Sequence, residues 1–159
     1  MDEGKKFQED FKKSVPDDMY YYRLRDGTAS WSGGENTRFQ ASNACDDLLY
    51  QSGLLCMLEL KSHKGKSLPY SAIRDNQVDE LCKAAQFGIA AGFVINMRDV
   101  EETYYLPSDA VCSHIATGAR KSIELEYMRM YGCRLKAEKK RTRWRYDLTD
   151  LLDKIRMDK

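Results

Sequence analysis

The stretch "NACDDLLYQSGLLCMLELK", Asn43 to Lys61, decides how this chain folds. Residues 45–50 and 54–61 read as two apolar strands around a turn at Gln51-Ser52-Gly53. Its ends are polar: Asp46 and Asp47 open it, and Glu59-Leu60-Lys61 closes it. Alternate side chains of a strand share a face. Glu59 and Lys61 therefore point one way, and Leu58 and Leu60 point into the opposite, packed face. The turn brings Asp46 back opposite the Glu59 end. One acid from each of two neighbouring strands, with a lysine, can then converge on one spot.

Outward from this hairpin, the pattern fits one α/β domain spanning 1–159, with a mixed sheet and flanking helices. Residues 4–14 space Phe7 and Phe11 at i, i+4, which predicts an amphipathic helix. Met19 to Asp26 alternates as a strand. Residues 27–43, rich in Gly, Ser, Thr and Asn, read as a long mobile arm or a plain flexible insertion. "SHKGKSLPYSAI" reads as a polar loop. A helix is predicted over 75–87 with Gly88 as its stop. The apolar run 89–97 is a central strand with 103–107 as its antiparallel neighbour. Residues 122–131 read as a helix ended by Gly132. "TRWRYDL" reads as a last strand, and 148–155 as a terminal helical turn or two.

Composition excludes several classes. With 42% hydrophobic and 32% charged residues the chain is of the soluble globular type. No apolar run approaches the ~20 residues of a membrane span, and no apolar stretch follows the N-terminus as a secretory signal requires. The five cysteines are widely spaced without C-x-x-C, so they read as reduced thiols of a cytoplasmic protein, not as a zinc site or disulfide scaffold. Net charge is +1, but its distribution is uneven. Residues 134–145 hold seven basic residues against one acid, Glu138, and Lys61, His63, Lys64 and Lys66 form a second basic group. Either group reads as a positive face or as a solvated helix or loop.

Two carboxylates and a lysine in this arrangement are what phosphodiester hydrolysis requires. The acids can hold Mg²⁺, a hard cation that takes oxygen ligands and keeps several waters. The metal activates water, and the ammonium orients that water or offsets charge on phosphorus. By pattern alone an E-x-K strand reads more often as surface alternation than as a catalytic site.

Longer segments add context. "GKKFQEDFKKSVP", "YYYRL", "SGGENTRFQASNACDDLLY", "MLELKSHKGKSLPYSAIRDNQ", "AGFVIN", "YYLP", "RKSIELEYM" and "RWRYDL" stand in this order along the chain. In them the chain resembles the RecU-type Holliday junction resolvases, especially shorter phage-like members. The resemblance implies a restriction-endonuclease-like α/β core of the PD-(D/E)xK superfamily, with a protruding mobile arm. It implies a homodimer that cleaves four-way DNA junctions in recombination and repair, with Mg²⁺ as cofactor and Mn²⁺ able to substitute. It places the metal at Asp46, Glu59 and the Leu60 carbonyl, and the chemistry at Asp46, Glu59, Lys61 and Gln77. It gives residues 27–43 to the junction centre, with Trp31, Arg38 and Phe39 on DNA. Lys64, Lys66, Lys139, Lys140, Arg141 and Arg143 become backbone contacts. Asp47 is expected to face solvent or to be a decoy for Asp46. One departure stands out: relatives carry glutamate after the first-helix phenylalanine, and here Gln8 follows Phe7. Glu9 lies about 100° further round the helix. A general branch or DNA-end nuclease, and a catalytically weak junction-binding accessory protein, are the alternatives.

Overall fold

The structure is a computed structural model, and it describes residues 2–25 and 43–159. Helix α1 (Glu3–Lys12) is capped by Asp2, whose carboxylate accepts from the Gly4 N–H at 3.2 Å. Strands β1 (Tyr20–Arg23), β2 (Asp47–Gln51) and β3 (Leu54–His63) form an antiparallel meander. The β2–β3 turn is the two-residue connection Ser52-Gly53, with φ of 48° and 82°. Both residues take the positive φ that lets a tight hairpin follow the right-handed twist of its strands, and glycine supplies it at least cost.

A short strand β4 (Ser67–Pro69) and a 3₁₀ turn lead to helix α2 (Asp75–Gln86). The helix returns the chain so that β5 (Ala90–Met97) runs parallel to β3. Strand β6 (Glu102–Pro107) pairs antiparallel with β5, as its sequence predicts. Helix α3 (Ser108–Ala116) follows, then β7 (Ser122–Glu124), α4 (Leu125–Tyr131), β8 (Cys133–Arg134), β9 (Ala137–Lys140), β10 (Arg143–Tyr146) and α5 (Leu148–Met157). The main sheet has the order β1-β2-β3-β5-β6-β8; β9–β10 and β4–β7 are separate two-stranded ribbons.

This mixed sheet lies between two helix layers. Phe7, Phe11, Leu58, Leu60, Val94, Leu151 and Leu152 pack on the α1/α5 face. Leu81, Phe93, Ile95, Leu106, Val111 and Met128 pack on the α2/α3/α4 face. The parity read from the hairpin holds: Leu58 and Leu60 are buried on the α1 side, and Glu59 and Lys61 face the other way. No helix among the described residues is long and apolar enough to cross a membrane.

Three readings need correction. The segment 122–131 is a short strand followed by a helix, because residues 122–124 are drawn into pairing with β4. Of the basic run 134–145, read as a positive face or a solvated helix or loop, Arg134 ends the main sheet in β8 and the rest mostly forms the β-ribbon of Ala137–Lys140 with Arg143–Tyr146. Cys82 and Cys112, read as thiols, are joined in a disulfide between α2 and α3. Their separation of 30 residues gave no local signal; the side-by-side packing of the two helices brings them together. Cys45, Cys56 and Cys133 are free, the first two fully buried.

Gly92 marks the tightest crossing of the sheet. A Cβ there would lie 2.5 Å from the Leu106 carbonyl oxygen and 2.7 Å from the Tyr105 ring. Gly92→Ala is expected to destabilise the chain by roughly 1–3 kcal/mol through overpacking. Urea unfolding should show a lower midpoint with an unchanged slope.

Candidate active site

The ladder between β2 and β3 pairs Asp47 with Leu58, so Asp46 falls opposite Glu59, one residue beyond the last pair. The one-residue offset between the two aspartates sends them to opposite faces of the sheet. Asp46 accepts from the Leu60 N–H at 3.0 Å. The N–H and C=O of one strand residue point to the same side. The Leu60 carbonyl therefore faces the edge where Asp46 lies, past the point where β2 pairs with β3.

Glu59 is almost wholly buried, at 3% exposed. Its Oε1 accepts from Gln77 Nε2 at 2.6 Å and from Lys61 Nζ at 2.9 Å. Gln77 in turn accepts from Lys61 at 3.3 Å and from the Arg74 N–H at 3.2 Å. The side chain that braces glutamate and lysine thus also closes the first turn of α2. Burial raises the Glu59 carboxyl above its ordinary value, and the nearby Asp46 charge raises it further; Lys61 and Gln77 pull against this. Glu59 Oε2 is buried with no hydrogen-bond partner.

That orphaned oxygen bears on whether the site suits a metal. A buried carboxylate oxygen left unpaired is costly unless something else satisfies it. Asp46, Glu59 and the Leu60 carbonyl make an all-oxygen, doubly negative donor set of the kind a hard divalent cation takes alongside waters. These residues fit such an ion. Among the described residues, however, no group of three or more His, Cys, Asp or Glu side chains is arranged around one metal position. The set has two carboxylates only.

Asp47 is neither solvent-facing nor idle. It is fully buried, and its Oδ1 accepts from Tyr21 Oη and Arg23 Nη1, each at 3.0 Å. Burial pushes its carboxyl up to about 6, against the pull of Arg23. Arg23 also reaches Asp46 Oδ1 at 3.5 Å, so one guanidinium spans both aspartates. Arg23 is a member of this group that was not among the residues expected from the sequence. The alternating "YRLR" of β1 was its only signal.

The remaining sequence-predicted residues are dispersed. Gln8 makes none of the hydrogen bonds that join Asp46, Glu59, Lys61 and Gln77. It lies half-buried on α1, one helical turn before Lys12. Lys64 and Lys66 are exposed where the chain leaves β3. On the ribbon, Lys139 pairs with Glu101 and lies 5.3 Å over the Trp144 ring. Arg143 is held by Asp10 at 2.6 Å and Glu9 at 2.9 Å, and Lys140 sits 3.7 Å from Glu138. Much of this basic cluster is therefore spent on acids of the same domain, and Arg143 fastens the ribbon to α1. Arg141 is exposed at the ribbon's turn. Trp31, Arg38 and Phe39 lie outside the described residues.

Known proteins match much of the chain. Residues 17–148 match the model of the family described as recombination protein U, RecU. The chain is 31% identical over 107 residues to the SPbeta prophage-derived uncharacterized protein YotM of Bacillus subtilis (strain 168). That alignment covers 65% of this chain and 54% of the relative, so the chain spans about half the length of the curated relative it matches. Among solved structures it is similar to Archaeoglobus fulgidus Hjc, a Holliday junction resolvase from an archaeal hyperthermophile. The TM-score is 0.46 and the identity 16%, over 72% of this chain and 81% of that one.

Proposed function

The chain belongs to the recombination protein U family, and from that premise we propose that it is a divalent-metal-dependent endonuclease that resolves four-way DNA junctions. The observation that carries this reading is the register of β2 against β3. It puts Asp46 and Glu59 on one face, with Lys61 2.9 Å from Glu59 and both braced by Gln77.

Asp46, Glu59 and the Leu60 carbonyl would hold the ion, Mg²⁺ in the first instance with Mn²⁺ able to replace it. When bound, it supplies Lewis acidity toward a phosphoryl oxygen and acidifies a coordinated water. Lys61 keeps its ammonium at the carboxylate, where it can orient the attacking water and offset charge developing on the phosphate. Gln77 is a positioning residue: its amide donates to Glu59 and its carbonyl accepts from Lys61, which fixes both at once. The buried leucines beneath β3 hold the strand rigid under the site. A four-way junction has two equivalent strands to cut, so the acting species is a homodimer with one site on each copy.

The test is cleavage of a synthetic four-way junction with labelled arms in Mg²⁺, beside a linear duplex of the same sequence. Paired nicks on opposing strands, with the duplex cut far more slowly, are expected. Equal rates on both substrates would leave a general nuclease in place of a resolvase. Lys61→Met is expected to slow cleavage by about 10²-fold, since a charged donor to the developing charge is lost. Single-turnover rates on the same junction check it; unchanged rates would remove Lys61 from the chemistry.

A further inference from the structure

The face that bears Glu59 continues beyond the acids. Across β1, β2 and β3 the register sets three rows on it. The first is Leu24–Asp46–Glu59, joined by the Leu24 N–H to the Asp46 carbonyl at 2.9 Å. The second is Tyr22–Leu48–Met57, and the third Tyr20–Tyr50–Leu55. Helices α2, α3 and α4 cover the sheet near β5 and β6; Leu24, Leu48 and Met57 are half-buried against that core, and the tyrosines with Leu55 stay open. Tyr20 is 60% exposed, Tyr22 49%, Tyr50 46% and Leu55 36%. A contiguous aromatic face open to water is unusual on a folded domain and marks a contact surface.

Two further observations say what fits it. The rows lead straight from the acids, and two strand steps of i, i+2 span roughly 13 Å, about four stacked nucleotides at ~3.4 Å each. Next, among the described residues β1 is the edge strand of the sheet, and along it lies a cavity of about 510 Å³ lined by Lys12, Tyr21, Tyr22, Arg23, Leu24 and Arg25. Three of these are cations and none is an acid. Arg23 is engaged by Asp46 and Asp47, while Lys12 and Arg25 are exposed. Lys12 and Arg23 belong to the α1 side of that edge and Tyr22 to the other. A strand passing round β1 therefore meets cations and then rings, the chemistry of single-stranded nucleic-acid binding: phosphates to the cations, base faces to the rings. A second copy of the chain suits it less well. A two-fold contact centred on β1 would bring the two cationic margins together.

We propose that Tyr20, Tyr22 and Tyr50 form a stacking platform for unpaired nucleotides next to the phosphate that is cut, with Lys12 and Arg25 taking their phosphates along the edge of β1. The proposal rests on the nuclease reading for the position of that phosphate. It makes the chain a reader of strand opening at a branch point, through a part of the sheet distinct from the basic ribbon.

The experiment uses the full chain in EDTA, so that nothing is cut. Binding of a fluorescent twelve-residue oligothymidylate and of a fully paired duplex is followed by anisotropy. For the Tyr20→Ser/Tyr22→Ser/Tyr50→Ser variant, affinity for the oligonucleotide should fall at least tenfold while duplex affinity changes little. In the wild-type chain, an oligonucleotide carrying 5-iododeoxyuridine should photo-crosslink to the peptides holding Tyr22 or Tyr50. That arm does not depend on the variant folding. Crosslinks confined to other peptides, or unchanged oligonucleotide affinity in a folded variant, would overturn the platform. So would a variant that sediments as a smaller species with its oligonucleotide binding intact, which would assign the face to contact between copies. Junction cleavage in Mg²⁺, scored separately with wild type, keeps the two readings apart. Active cleavage without the crosslink sinks the platform alone, and the crosslink without any cleavage sinks the nuclease alone.

Discussion

Glu59→Gln is expected to reduce junction cleavage by about 10³-fold or more while leaving the fold intact and the protein without metal no less stable. The structure explains both halves. Glu59 Oε1 receives two hydrogen bonds, from Gln77 and Lys61, and Oε2 receives none. The amide can place its carbonyl oxygen at the Oε1 position, keeping both donors satisfied, and its NH₂ at the empty Oε2 position. What disappears is a negative charge that burial and the neighbouring Asp46 already disfavour. Removing a charge held against its solvation preference tends to stabilise a protein at the cost of its activity. Thermal unfolding in EDTA should therefore show the same or a higher midpoint for the variant. Added Mg²⁺ should raise the wild-type midpoint, as any ligand of the native state does, and the variant's far less. Full cleavage by Glu59→Gln, or an equal Mg²⁺ response in both proteins, would remove Glu59 from the metal and from the chemistry.

The legible part of this site was whatever strand parity could encode. A period of two fixes Glu59 with Lys61, and a two-residue turn fixes the count back to Asp46. Those relations are local, so the hairpin declared them. Choosing Asp46 over Asp47 also reduces to parity, once the register Asp47–Leu58 is known. The fate of Asp47 was not legible, because its partners Tyr21 and Arg23 lie 26 and 24 residues away across the sheet. Helix α3 escaped notice for a different reason: Ser108 to Ala116 sits directly after a strand-ending Pro107 and carries a weak apolar stripe, with Val111 its one fully buried aliphatic residue. The basic run from 134 to 145 misled, since net charge along a sequence does not show which cations are already paired. Arg143 looked like a phosphate ligand and is a clamp between β10 and α1 through Glu9 and Asp10. The aromatic rows beside the acids were written in "MYYYRLRD", but only the pairing of β1 with β2 shows which tyrosines share the face of Glu59.

Arg23→Met is expected to destabilise the chain by about 1–3 kcal/mol, the scale of leaving a buried polar group short of a hydrogen-bond partner. Asp47 has no exposed surface, and its Oδ2 already lacks a partner. Without Arg23, Tyr21 alone would remain on the carboxyl group, which would be pushed further up and take a proton near neutral pH. Such a loss is a large share of the total stability of an ordinary domain. The companion change Asp47→Asn separates charge from packing. Replacing both members of a buried pair by neutral groups of similar size is often near neutral, so Arg23→Met/Asp47→Asn should recover most of what Arg23→Met loses. A double-mutant cycle from urea unfolding in EDTA measures the coupling. A loss under about 1 kcal/mol for Arg23→Met, the scale of a surface pair, would show that the Asp47 carboxyl group is satisfied some other way. The same cycle bears on the site. Arg23 also lies 3.5 Å from Asp46, so it offsets part of the charge that Asp46 and Glu59 concentrate on one face. Its removal should leave Asp46 freer to bind a cation. Arg23→Met/Asp47→Asn is then expected to respond to Mg²⁺ at lower concentration than wild type in the thermal shift, and a higher requirement would mean that Arg23 holds Asp46 in its binding position.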